Sequence, residues 1–227
     1  MDGTLADLSS AYAEVEERLF GAADEEAKHP APEVREQEQQ METAPAHDES
    51  PAPVRAPTTR SRERVWRAIE ATPNFWTTLK PLESGVVERL YKLTEELGWE
   101  VFFITQRPAT AGGTVQWQTQ KWLVEHGFAT PSVIPLSGGR GRAAAALRLD
   151  YLVDDTPQNC VDVLSDSSTR AILLVNSHDQ LAQSSARRLG IGVAHDMHHA
   201  LDLLTQATHA RANPTLFEKL RKIVGWS

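Results

Sequence analysis

Apolar positions near the start of the chain recur at helical spacing. Leu5, Leu8, Tyr12, Val15 and Leu19 fall on one stripe and predict an amphipathic helix over 6–20. A second helical stretch is predicted over 62–71. Val86, Leu90, Leu93 and Leu97 then mark one face of a third helix, which Gly98 should end at its C′ position. The next run, 99–104, is short and rich in aromatic and β-branched residues, the pattern of a strand covered on both faces of a parallel sheet, with Thr105 at its carboxyl end. From there the pattern alternates. A helix over 115–126 closed by Gly127 precedes a strand at 132–136, a helix at 143–149 and a strand at 150–153. Thr156 caps the following helix, with Pro157 in its first turn. A strand at 171–175, a helix at 180–189, a strand at 191–194 and a helix at 197–208 complete the series. This alternation implies an α/β fold with a Rossmann-like open parallel sheet.

One segment breaks the pattern. Over 23–61, six prolines stand among Glu, Gln and Ala, and Val34, Met41 and Val54 are its sizeable apolar residues, so it is expected to be a disordered acidic insertion. At the other end Asn213 and Pro214 start a predicted amphipathic helix over 213–227, with Leu216, Leu220, Ile223 and Val224 on one stripe. The expected organisation is a discontinuous core of residues 1–5 and 99–212. Residues 6–22 and 62–98 form a small helical cap with its return helix.

Composition narrows the function. The 227 residues carry 23 Lys and Arg against 31 Asp and Glu, a net charge of −8. Such a balance lacks the dense basic surface that a nucleic-acid polymer requires, but it does not exclude a small phosphorylated substrate. The single cysteine, Cys160, cannot form an internal disulfide, and no run is long and apolar enough to span a membrane, so a cytoplasmic location is expected. Oligomeric state is left open.

In open α/β sheets, ligands bind beyond the carboxyl ends of the strands. Four polar clusters fall at such places: Asp2-Gly-Thr-Leu at the start, Thr105-Gln-Arg-Pro, the Arg140-Gly-Arg142 turn, and Asp154-Asp155. Adjacent carboxylates repel one another, and a hard cation such as Mg²⁺ is a common reason for the pair. Together the clusters point to one phosphate site with a metal. His195, His198 and His199 are expected to be solvated or capping, and Cys160 a buried structural thiol.

In this order the clusters resemble the haloacid dehalogenase-like phosphohydrolases, whose first motif reads Asp-x-Asp-Gly-Thr-Leu, whose second is an apolar strand ending in Thr or Ser, and whose fourth is an acidic pair. Phe75-Trp76-Thr-Thr-Leu-Lys-Pro-Leu-Glu-Ser-Gly and Phe103-Ile-Thr-Gln-Arg-Pro are similar to the 5'(3')-deoxyribonucleotidase-like branch. The resemblance implies an Mg²⁺-dependent phosphomonoesterase acting on a nucleoside monophosphate or another small phosphomonoester. Asp2 would be the general acid/base and would offer its backbone carbonyl to the metal. Thr105 would bind phosphoryl oxygens, Arg142, with Arg140 as the alternative, would neutralise their charge, and Asp154 and Asp155 would hold Mg²⁺. Phe75 and Trp76 would stack on a base or else pack in the core, and Gln106 and Arg107 would bind substrate or else brace their loop. The short interval between Thr105 and Asp154 leaves no room for a large second cap.

The family's nucleophile is the aspartate two positions before Asp2, a position upstream of Met1, and the strand that carries it is a central one in the family sheet. The expectation is therefore that the first central strand is missing from this sequence. The chain as written would be inactive, with the recorded start falling inside the natural gene. A pseudoenzyme that keeps magnesium or nucleotide binding, and a scaffold acting through the insertion and terminal helix, are the alternatives.

Overall fold

The computed structural model describes residues 1–28 and 59–211, with side chains over 1–21 and 59–211. Helix α1 (Leu8–Lys28) and α2 (Thr59–Ala71) lead, through a 3₁₀ turn at Phe75–Thr77, to α3 (Val86–Leu97). Strands and helices then alternate: β1 (Phe102–Thr105), α4 (Val115–Glu125), β2 (Ser132–Pro135), α5 (Arg140–Leu147), β3 (Tyr151–Asp154), α6 (Pro157–Asp166), β4 (Arg170–Leu174), α7 (Gln180–Arg188), β5 (Gly192–Ala194) and α8 (Met197–Arg211). All strand pairs are parallel, as helical crossovers require.

The fold is mixed α/β, with both faces of the sheet covered. Alternation along β4 shows this directly. Ala171 and Leu173 belong to one apolar cluster with Ala144 of α5 and Cys160 and Val163 of α6. Ile172, between them, belongs to a second cluster with Phe103, Val133 and Leu201 of α8. That second cluster also takes in Val15 of α1 and Val65 and Ile69 of α2, so the N-terminal helices share a core with β1 and β2.

One continuous sheet is not what the backbone forms. Hydrogen bonding yields a two-stranded sheet, β1-β2, and a three-stranded sheet in the order β3-β4-β5. Both β1 and β3 line a cavity of about 640 Å³.

Several element ends differ from the sequence expectation, each for a local reason. Residues 23–28 continue α1, and 59–61 belong to α2; the rest of the expected disordered insertion lies outside the described residues, as does the terminal helix over 213–227. Strand β1 starts at Phe102 and not at Trp99, because the Trp99 backbone N–H donates to Thr94 O at 3.1 Å and its indole donates to Thr208 Oγ1 at 3.0 Å. Those bonds tie Trp99 to α3 and α8. Helix α5 begins at Arg140, three residues early, because Gly139 supplies an extended N-cap. Gly141 lets α5 approach α6 closely: a Cβ there would lie 2.2 Å from Asp162 O. At α8, carboxylates do the capping, with Glu83 accepting from the Met197 and His198 N–H groups and Asp196 from His199 N–H.

Buried polar side chains fasten the loop after β1. Gln118, wholly buried, donates to Gly113 O (2.6 Å) and Thr110 Oγ1 (2.9 Å) and accepts from the Trp76 backbone N–H (3.1 Å). Trp122 is also fully buried and donates its indole N–H to Leu79 O at 2.6 Å. Replacing Gln118 by Leu keeps much of the volume but leaves the Trp76 N–H and the Gly113 carbonyl without partners. The expected cost is about 2–4 kcal/mol, read as a lower urea midpoint at unchanged slope.

Candidate functional site

Asp2, Thr105, Arg140 and the Asp154-Asp155 pair meet around a cavity of about 200 Å³, together with Gln106, Arg107 and Asn159. The carboxyl ends of β1 and β3, at Thr105 and Asp154, both reach this cavity, as strand ends that bind ligands do in open α/β folds. The N-terminal segment joins them through a turn in which Met1 O accepts from the N–H groups of Leu5 (2.8 Å) and Ala6 (3.1 Å).

Two arginines neutralise the carboxylates differently. Arg107 has no exposed side-chain surface and grips Asp2, its Nε lying 3.0 Å from both carboxyl oxygens and its Nη2 2.5 Å from Oδ1. Its Nη1 donates to Thr119 Oγ1 at 3.0 Å, and its guanidinium lies 4.8 Å from the centre of the Trp76 ring. This fork geometry fixes the plane of the Asp2 carboxyl. Arg140 touches Asp154 more loosely, Nε to Oδ2 at 3.5 Å, and its buried Nη1 has no hydrogen-bond partner. A buried guanidinium N–H without an acceptor is costly and is best relieved by an anionic oxygen.

Asp154 is held by the helix that follows it. Its Oδ1 accepts from the Thr156 backbone N–H and from Asn159 Nδ2, each at 2.9 Å. Thr156 is the N-cap of α6 by position, but Asp154 makes the bonds, and the Thr156 side chain makes no capping bond. Asp155 lies near Thr4, whose Oγ1 is 3.5 Å from Oδ1. Loss of solvent around the Asp155 carboxyl, and next the Asp154 charge, raise its pKa above the ordinary carboxylate value. Gly3 makes room for this group. Its φ is +72°, and a Cβ there would lie 2.0 Å from Asp155 Oδ2.

The other sequence candidates divide. Thr105 is buried at the rim of the site, its hydroxyl oxygen accepting from the Arg107 N–H at 3.3 Å. Gln106 braces the loop before α5 by donating to Gly138 O at 2.8 Å. Arg142 is corrected by the structure: it is exposed and does not line the cavity, whereas Arg140 is buried there. Trp76 lines the cavity as the floor under Arg107, its indole N–H bonded to Pro108 O at 3.0 Å. Phe75 does not reach the cavity and packs edge-to-face on Trp76, ring centres 5.1 Å apart. His195, His198 and His199 lie away from the cavity. Burial pushes the Cys160 thiol up to about 12, which keeps it protonated.

The sequence reading had not included Asn159, Thr119 or Trp66, the last a half-buried α2 residue that lines the cavity and meets Tyr12 edge-to-face at 5.8 Å. Among the described residues, no three His, Cys, Asp or Glu side chains gather closely enough to form an all-protein metal cage. Mg²⁺ does not demand one, being held typically by one or two carboxylates together with water and substrate phosphate. The adjacent carboxyls of Asp154 and Asp155, the second held by a long Thr4 side-chain contact of 3.5 Å, fit that kind of site.

No family model matches this chain, and no solved structure matches it. Over 129 residues it is 32% identical to a protein of Oceanobacillus iheyensis that carries the name "Putative nucleotidase OB0422". The alignment takes in 55% of this chain and 64% of that protein, so the chain spans less than two thirds of the relative's length. No helix among the described residues is long and apolar enough to cross a membrane.

Two substitutions test the packing of the acidic pair with opposite signs. Gly3→Ala forces a side chain into a left-handed position against Asp155, and a loss of about 1–3 kcal/mol is expected. Asp155→Asn in metal-free buffer acts the other way. Because the folded-state pKa of Asp155 is raised, the folded protein binds more protons between the unfolded and folded values, and stability falls as pH rises through that window. The variant lacks this loss, so it should melt above the parent near neutral pH and level with it below about pH 4.

Proposed function

We propose that this chain is the body of a phosphomonoesterase, a nucleotidase-like hydrolase of the haloacid dehalogenase type that uses Mg²⁺. The observation that carries the reading is Arg140: a buried guanidinium with an unpartnered N–H at the mouth of a small cavity shared with Asp2, Asp154 and Asp155. The similarity to a protein named as a nucleotidase agrees with it. A cavity of about 200 Å³ is below the ~300–1,000 Å³ of pockets that enclose a whole drug-sized ligand, and it suits a phosphoryl group with the rest of the molecule outside.

In this reading each residue has one task. Arg140 and the Thr105 hydroxyl bind the phosphoryl oxygens. Asp2, its carboxyl oriented by Arg107, gives a proton to the leaving oxygen and later takes one from the attacking water. The nucleophile is a carboxylate immediately before Met1, as the sequence resemblance implies. Its oxygen bonds to phosphorus as the ester P–O bond breaks, and water then releases inorganic phosphate. Asp154 and Asp155 hold Mg²⁺, which when bound offsets the repulsion between the anionic phosphate and the carboxylates. Trp66 presents an aromatic surface at the cavity on which the base of a nucleoside monophosphate can stack.

Phosphate binding can be measured on the chain as it stands. Calorimetric titration with inorganic phosphate should show binding that strengthens with Mg²⁺ and weakens about tenfold or more in Arg140→Ala, while Arg142→Ala leaves it unchanged. In a form that restores the upstream aspartate, Mg²⁺-dependent release of phosphate from nucleoside monophosphates should appear, and Arg140→Ala should lower kcat/KM by about 10²-fold. Phosphate binding that ignores Arg140 would sink this assignment.

A further inference from the structure

The cavity of about 640 Å³ reaches the surface where its wall includes the exposed residues Gly98, Glu100, Arg148 and Asp150, none of which lines the smaller carboxylate site. The last turn of α8 gathers this mouth. The Trp99 indole donates to Thr208 Oγ1 at 3.0 Å, while Arg211 pairs with Asp150 at 2.6 Å and lies 5.6 Å from the centre of the Tyr151 ring. Thr208 and Arg211 are three positions apart on the helix and so share a face. The segments that lead into β1 and into β3 are therefore fastened to one turn of one helix. Around the mouth, Leu97, Trp99, Leu149 and Tyr151 are each half-buried. Large apolar side chains that water still reaches, grouped about one concavity, form a surface that gains by being covered.

Chain continuity and charge specify the cover. Arg211 stands on the rim, so residues 212–227 set out from the mouth itself. They include Leu216, Leu220, Ile223 and Val224 at helical spacing, and a helix over 213–227 would be about 22 Å long, enough to cross the mouth. One side of the mouth is acidic. Helix α3 ends with exposed Glu95 and Glu96 and no basic residue in its last turn, against the negative end of its own dipole, and Glu100 follows on the rim. Lys92, one turn earlier, pairs with Glu88 at 2.7 Å. On the other side Asp150 engages Arg211, and Arg148 is exposed. Residues 212–227 carry Lys219, Arg221 and Lys222 with one acid, Glu218, and so complement the acidic side.

We infer that residues 213–227 dock across this mouth, their apolar stripe covering Leu97, Trp99, Leu149 and Tyr151 and their basic residues meeting Glu95, Glu96 and Glu100. The segment then clamps together the starts of β1 and β3, strands that belong to separate sheets and carry Thr105 and Asp154 at their other ends. The inference stands on the mouth and its charges, and a protein that fails to hydrolyse phosphate leaves it untouched.

Photocrosslinking on the full chain locates the segment. With Leu220→p-benzoylphenylalanine, irradiation should join residue 220, within one molecule, to peptides containing 97–101 or 147–151. The same probe at Leu181, exposed on α7 and not part of the cavity wall, should not reach them. Amide exchange gives a second reading. Leu220→Asp combined with Ile223→Asp should speed exchange over 97–101 and 148–150 by at least about tenfold and lower Tm by about 4 °C or more. Lys219→Gln combined with Lys222→Gln should give a smaller loss that vanishes at high salt. Should the aspartate pair prevent folding, the crosslink decides by itself. Crosslinks from residue 220 that map elsewhere on the chain would overturn the proposal. Crosslinks formed only between two molecules would assign the mouth to a second copy, with the same consequence, and so would exchange and Tm that ignore the aspartate pair in a folded protein.

Discussion

The bidentate pair between Arg107 and Asp2 is the interaction on which the arrangement of the site depends. It ties the N-terminal turn to the loop after β1, while Thr4 beside Asp155 ties the same turn to the loop after β3. The turn therefore bridges the carboxyl ends of two strands that share no backbone bond. An exposed ion pair could not do this, because solvent would screen it and side-chain entropy would oppose it. Arg107 succeeds because its side chain is fully enclosed, its fork geometry leaves one arrangement, and Thr119 and the Trp76 ring hold the guanidinium from the other sides. The buried Gln118 network acts at one remove, since it fixes Trp76 and the loop from which Arg107 projects.

Much of this was legible in the sequence. The clusters at Asp2, Thr105, Arg140-Gly-Arg142 and Asp154-Asp155 all stand at strand ends or beside them, and parallel topology makes such ends converge. Which arginine turns inward was not legible. Residues two apart on a helix differ by about 200° in direction, so only one of Arg140 and Arg142 can face the cavity, and the choice depends on where α5 starts. Gly139, taking an extended conformation, sets that start, and the composition of the turn does not reveal it.

The buried polar residues were hidden for a different reason. Gln118 and Thr119 sit one helical turn before Trp122 and Leu123, on the face of α4 that packs inward. A polar residue on an apolar stripe is the one signal the sequence offers there, but its partners come from segments far away in the chain. Asn159 is similar: a second-turn residue of α6 becomes a donor to Asp154 only because the strand before the helix ends with that carboxylate turned back toward it. Trp66 reaches the cavity from α2, across an interval that no local periodicity describes.

Charge distribution around the cavity explains why the site holds together before any ligand arrives, and what a ligand adds. Asp2 has its arginine and Asp154 has three donors, so two of the three carboxylates are satisfied by the protein. Asp155 has a long hydrogen bond from the Thr4 hydroxyl and no arginine among the described residues, and Arg140 retains a free N–H. These two residues carry opposite charges, yet each lacks what it needs, because the charges they could neutralise are already engaged. A species that is positive toward Asp155 and negative toward Arg140 resolves both at once. A divalent cation with a phosphate has that polarity, whereas a neutral molecule satisfies neither.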